Sequence, residues 1–172
     1  KGERKFTIVD LVMNRETSGI IPLGGDYQSA NLVTLFQSFD ILKDLLSLTE
    51  ENLTAGIAKT VVNTGLLGRW QIIANRPLTI CDTGHNKEGL EYVTRQIRGI
   101  PCRGLHMVLG FVSDKDLSSI LPLFPADAKY YFTRASVQRA MDERVLAGIA
   151  SEYGLRGSSY PDVKGALRAA RK

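Results

Sequence analysis

The stretch that decides the fold is Pro77-Leu78-Thr79-Ile80-Cys81-Asp82-Thr83-Gly84-His85-Asn86, followed directly by the run from Lys87 to Arg98. Leu78–Asp82 reads as a short apolar strand that begins after a proline and stops at an acid. Thr83–Asn86 is a loop. From Lys87 the apolar residues Leu90, Val93 and Ile97 fall on one face at helical spacing, and Asn86 stands where it can cap that helix. Cys81, inside the apolar run, reads as a small buried thiol.

Working outward, the same alternation continues. Towards the C-terminus, Leu105–Phe111 reads as a buried strand, Asp116–Leu123 as a short helix, Ala128–Thr133 as a strand, and Met141–Tyr153 and Asp162–Arg171 as helices. Towards the N-terminus, Gly68-Arg69-Trp70-Gln71-Ile72-Ile73 opens a strand. Before it lie two short strands, 6–12 and 18–23, and a Gly24-Gly25-Asp26 break that can cap a helix. The helix beginning at Ser29 carries Leu32, Leu35, Phe36, Phe39 and Leu42 at helical spacing, with Asn31 in its first turn. Another helix begins after a Thr49 cap, with acids in its first turn, and runs to about Val62. Strands alternating with helices predict parallel β-α units in one sheet, with helices on both faces. A domain boundary falls near Leu66–Gly68. There are no internal repeats and no low-complexity segment.

Composition narrows the function. With 172 residues, 44% hydrophobic and 23% charged, the chain suits one medium domain, or a domain plus part of another. Net charge is −2 over residues 1–68 and +6 over 69–172. A basic half suits a nucleotide, an anionic substrate or nucleic acid, but its charges are scattered rather than clustered. Two cysteines, Cys81 and Cys102, form neither a disulfide framework nor a metal motif, and fit a reducing cytoplasm. No run approaches the roughly 20 apolar residues of a membrane span. The opening residues KGERKFTIVD lack the apolar region of a signal peptide and read as a strand already in progress, so the chain is expected to be a piece of a longer protein. No P-loop, dinucleotide fingerprint, nucleophile elbow or His/Cys metal cluster is present.

In open α/β sheets, ligands bind at the carboxyl ends of strands. Asp82 could accept from a ribose hydroxyl or an amine, and His85 could bind an anion or transfer a proton. The same residues also suit plain turn and helix caps. Arg69 carries the side chain best fitted to phosphate, beside Gly68, which lets the backbone approach a ligand. The Gly110–Asp116 loop is a third candidate, although Ser113 or Asp114 would serve there as a helix cap. His106, inside a strand, reads as a satisfied histidine rather than a catalytic one.

Five segments in order resemble one family. Tyr27-Gln28-Ser29-Ala30-Asn31 resembles the [HY]-Q-x-x-N segment of the folylpolyglutamate and dihydrofolate synthases, which are ATP-dependent ligases of the Mur ligase superfamily. Gly68-Arg69-Trp70-Gln71 resembles their G-R-[FW]-Q, and Asp82-Thr83-Gly84-His85-Asn86 their D-[GV]-A-H-N. Gly110–Asp116 is similar to their G-x-x-x-D-K-D, and Thr133-Arg134 with Gln138-Arg139-Ala140 to a later segment ending in R-A. The matches cover almost the whole chain. Thr83-Gly84 departs from the usual pair, and Tyr27 stands where many members have His.

The resemblance implies a Rossmann-like α/β ligase domain over residues 68–172, preceded over 1–67 by the end of a central ATP-binding domain. It implies ATP and Mg2+ as cofactors, with the metal ligands and P-loop upstream of Lys1 and a last strand beyond Lys172. The implied reaction joins L-glutamate to dihydropteroate or a folate through an acyl phosphate. Asn31 would contact adenine, Arg69 the phosphates and Asp82 the nucleotide at its ribose, and His85 would lie near the γ-phosphate and incoming glutamate. A cytoplasmic monomer of one-carbon metabolism is implied, with no nucleic-acid or membrane partner and no metal site in this chain. The fragment alone is expected to be inactive. Another Mur-type amide ligase and a non-catalytic nucleotide- or nucleic-acid-binding module are the alternatives.

Overall fold

A computed structural model describes residues 3–12 and 14–172. The chain divides into two compact units, the first ending at Gly84 and the second beginning at His85.

In the first unit, β1 (Arg4–Asp10) and β2 (Arg15–Ile21) form an antiparallel hairpin in which Arg4 faces Ile21 and Asp10 faces Arg15. Helix α1 (Gln28–Leu42) starts without a side-chain cap. The Thr49 hydroxyl accepts from the Asn52 amide and the Asn52 side chain accepts from the Thr49 amide, a reciprocal cap that opens α2 (Glu50–Ala58). The expected single helix to Val62 is broken at Lys59, and a short α3 (Thr60–Thr64) follows. Ile21, Leu23, Leu32, Phe36, Phe39, Leu53 and Ile57 form the core, with Phe6 set edge-on to Phe36 at 6.1 Å. Arg15 ties three elements together: its guanidinium donates to Asp40 on α1 at 3.0 Å and to Glu50 on α2 at 2.9 Å.

The unit closes with β3 (Gln71–Asn75) and β4 (Leu78–Cys81), which pair antiparallel. This corrects the expectation that the strands share one mostly parallel sheet, since β3 and β4 form a ribbon of their own. Only two residues, Arg76 and Pro77, join these strands, whereas a parallel pair needs a crossover of about a dozen. Cys81 is exposed rather than buried, because this two-stranded ribbon covers only part of its own surface.

In the second unit, β5 (His106–Leu109), β6 (Lys129–Thr133) and β7 (Gly157–Tyr160) make a parallel sheet with β6 at its centre. Tyr130, Tyr131, Phe132 and Thr133 are all buried, as expected of a central parallel strand covered on both faces. Tyr130 and Phe132 share a core with Leu90 of α4 (Lys87–Arg98) and with Leu146 and Ala150 of α5 (Glu143–Glu152). Helix α6 (Val163–Ala170) contacts all three strands and buries Ala166 outside that core. The result is the expected α/β architecture, a parallel sheet with helices packed on it.

Two local expectations fail in this unit. The helix expected over Asp116–Leu123 is a set of turns ending in a 3-10 turn at Leu121–Leu123, with Pro122 inside it. The Asp116 carboxylate accepts from the Ser118 amide at 2.9 Å and hydroxyl at 2.7 Å, a local turn that competes with helix. Strand β7, Gly-Ser-Ser-Tyr, carries no apolar alternation and was not expected at all.

Candidate functional site

The site-bearing loops of the first unit meet on one carboxylate. Asp82 follows directly on β4. Its Oδ2 accepts from the Trp70 amide at 2.7 Å and from the Tyr27 hydroxyl at 2.9 Å, while Oδ1 accepts from the Gly84 amide at 2.7 Å. Three donors on two oxygens hold this side chain in one orientation. The residues before β3 make a tight turn: Gly68 has φ +72° and Trp70 φ +51°. A left-handed backbone is rare for a bulky residue, and the Trp70 amide is held in it by Asp82.

Arg69 lies between these two residues. Its Nη1 donates to Thr83 Oγ1 at 2.5 Å, and Thr83 Oγ1 in turn donates to the Gly68 carbonyl at 3.1 Å. The Thr83 amide donates to the same carbonyl at 2.9 Å, so the two loops are laced through side chain and backbone. The Gln71 side chain accepts from the Gly68 amide at 3.1 Å, and the Gly24 amide donates to the Arg69 carbonyl at 3.3 Å. Burial, then the adjacent Asp82 carboxylate, push the Tyr27 phenol well above its usual range, so it stays a hydroxyl donor.

Arg69 and Asp82 thus belong to one loop pair, each tied to the residue next to the other: the guanidinium to Thr83 and the carboxylate to the Trp70 amide. Asn31 is exposed on α1, one helical turn beyond Tyr27, and its amide donates to the buried Gln28 side chain at 3.0 Å. His85 begins the second unit and is exposed. Asn86 caps α4 as its position suggests, accepting from the Gly89 amide at 3.0 Å.

The third candidate loop differs from expectation. No helix follows Ser113 or Asp114, so neither caps one. Instead the Ser113 amide and hydroxyl both donate to the Arg139 carbonyl, at 2.8 and 3.2 Å, and Asp114 pairs with the Arg139 guanidinium at 3.4 Å. His106 is exposed at the sheet edge, its Nδ1 2.9 Å from the Tyr131 hydroxyl, which fits a satisfied histidine. Sequence reasoning missed the part played by Tyr27, Thr83 and the Trp70 amide. The available signal was Tyr27 at the first position of the [HY]-Q-x-x-N resemblance, which assigns it no partner. Among the described residues, no group of three or more His, Cys, Asp or Glu side chains is gathered as a metal site. No helix of the described residues is long and apolar enough to cross a membrane.

Comparison with known proteins identifies what the chain is similar to. The Escherichia coli (strain K12) dihydrofolate synthase/folylpolyglutamate synthase is 34% identical over 77 residues, which are 44% of this chain and 17% of that protein. The structure of E. coli FolC in complex with DHPP and ADP superposes with a TM-score of 0.52 at 26% identity, covering 72% of this chain and 28% of that one. The Mycobacterium tuberculosis folylpolyglutamate synthase complexed with ADP and AMPPCP superposes over 96% of this chain with a TM-score of 0.73, at 21% identity, and shows the shared fold. The chain spans 39% of that structure's length. The family described as Mur ligase, glutamate ligase domain matches residues 68–172. Starting at the very turn that carries Arg69 and running to the last residue, that match places the chain in the Mur ligase family, as a member with its glutamate ligase domain.

Proposed function

We propose that the chain is part of an ATP-dependent ligase that joins L-glutamate, through its amine, to a carboxylate of dihydropteroate or a folate. In this reading residues 1–67 end a central ATP-binding domain and residues 68–172 form the ligase domain. ATP transfers its γ-phosphoryl group to the acceptor carboxylate, leaving ADP and an acyl phosphate. The glutamate amine then attacks the acyl carbon, loses a proton and expels inorganic phosphate, forming the amide.

What supports the reading is the placement of the Arg69 guanidinium on Thr83, the residue next to Asp82, within one laced pair of loops. A guanidinium stabilises charge building on transferred phosphoryl oxygens. Oδ1 of Asp82 accepts one hydrogen bond and keeps capacity for a ribose hydroxyl. Asn31 is assigned to adenine, and His85 to the γ-phosphate and incoming glutamate. The donors around Arg69 and Asp82 suit a nucleotide. Mg2+ would shield its phosphates when bound, and its ligands are assigned to the part of the protein before Lys1. The working protein is taken to be a cytoplasmic monomer, and this fragment to be inactive alone.

The test is glutamate-dependent ADP release by the full-length ligase, with dihydropteroate and with tetrahydrofolate. Arg69→Ala is expected to lower turnover about a hundredfold, and Asp82→Asn to raise the KM for ATP, with folding retained in both. Wild-type rates in both variants would overturn the assignment.

A further inference from the structure

We propose that Tyr27 is a positioning residue of the nucleotide site: its hydroxyl anchors Asp82, and Asp82, through the Trp70 amide, maintains the left-handed turn that aims Arg69. This rests on the reading of Arg69 and Asp82 as nucleotide ligands.

The chain of contacts is continuous. Tyr27 Oη donates to Asp82 Oδ2 at 2.9 Å, and the same oxygen accepts the Trp70 amide at 2.7 Å. Trp70 sits at φ +51° with its side chain buried. Such a conformation persists only where its surroundings over-determine it. Two donors converging on one oxygen do that: the phenol fixes the rotation of the carboxylate, and the carboxylate fixes the amide. Arg69, one residue earlier, has its carbonyl held by the Gly24 amide and its guanidinium held by Thr83. The direction of its side chain therefore depends on the turn.

Tyr27 is itself seated for this role. A Cβ at Gly25 would collide with Cε1 of the Tyr27 ring, so the loop backbone lies close against the ring where glycine leaves room. The phenol also stays protonated through neutral pH, because burial and the facing carboxylate both disfavour the phenolate. It therefore acts as a donor to the carboxylate. Tyr27 thus links the start of α1 to the end of the β3–β4 hairpin through the Asp82 carboxylate.

Trp70 is the sole tryptophan, so its fluorescence reads this turn directly. Tyr27→Phe removes one oxygen and keeps the ring. In this chain we expect it to raise acrylamide quenching of Trp70 about twofold, as the turn loosens for want of one hydrogen bond. Unchanged quenching would overturn the proposal, whether or not nucleotide binds. In the full-length ligase, kcat/KM for ATP is expected to fall about fivefold in Tyr27→Phe. It should fall no further when Tyr27→Phe is added to Arg69→Ala, because the two act in series. An equal fall in both backgrounds would show that Tyr27 works independently of Arg69 and would overturn the positioning role. Loss of ATP dependence in the wild type would instead sink the nucleotide reading, and the quenching result would still decide the Tyr27–Asp82–Trp70 linkage.

Discussion

At the scale of single residues, Gly68 is the most constrained position in the site. Its φ of +72° lies in the left-handed region, and a Cβ there would come within 2.6 Å of Thr83 Cγ2. Gly68→Ala therefore faces two separable costs: about 1–2 kcal/mol for a left-handed backbone and about 1–3 kcal/mol for crowding the threonine methyl. Thr83→Ser deletes that methyl and keeps the hydroxyl that receives Arg69. Urea unfolding is expected to show the double variant Gly68→Ala/Thr83→Ser more stable than Gly68→Ala alone by the crowding part. Equal stabilities would mean that the methyl does not set the fit. Arg69 and Asp82 were singled out through the motifs they sit in; read alone, Arg69 suits a surface position and Asp82 a turn cap, and Asp82 does accept from the Gly84 amide. Tyr27 was not assigned a role. Its place in the [HY]-Q-x-x-N resemblance names no partner for the hydroxyl, and that partner lies fifty-five residues away.

At the scale of elements, legibility followed local physics. Helix α4 was expected over the residues it occupies, because Asn86 caps it and Leu90 and Val93 are buried on one face. Strand β7 was not, since its position is set by pairing with β6 rather than by any propensity of Gly-Ser-Ser-Tyr. The failed helix at Asp116 shows the converse: Leu117, Ile120 and Leu121 are buried, but local hydrogen bonding and Pro122 hold that spacing in turns. Arg15 gives an element-level prediction, since it joins β2 to α1 and α2. Desolvation works against the Asp40 carboxylate, but hydrogen bonds from Lys43 and Arg15 and their charges outweigh it and lower its pKa. A carboxyl lowered on folding adds stability at pH above its unfolded value, and that contribution is lost as pH falls through the folded value. Between about pH 5 and pH 3, wild type should therefore lose more stability in urea titrations than Asp40→Asn, which has no carboxyl to protonate. Parallel losses in the two proteins would remove Asp40 from the account.

At the scale of the whole molecule, the division into two units has an optical counterpart. Each unit closes around apolar residues of its own, Leu32 and Phe36 in one and Phe132 and Leu146 in the other. The lone indole belongs to the first unit, while five of the six tyrosines, Tyr92, Tyr130, Tyr131, Tyr153 and Tyr160, belong to the second. Heating is expected to give indole emission and tyrosine near-ultraviolet dichroism different midpoints, one for each unit. Coincident midpoints would instead mark one cooperative block. Where the midpoints differ, any single melting temperature quoted for this chain needs to name its chromophore, for a colour change in one half is silent about the other.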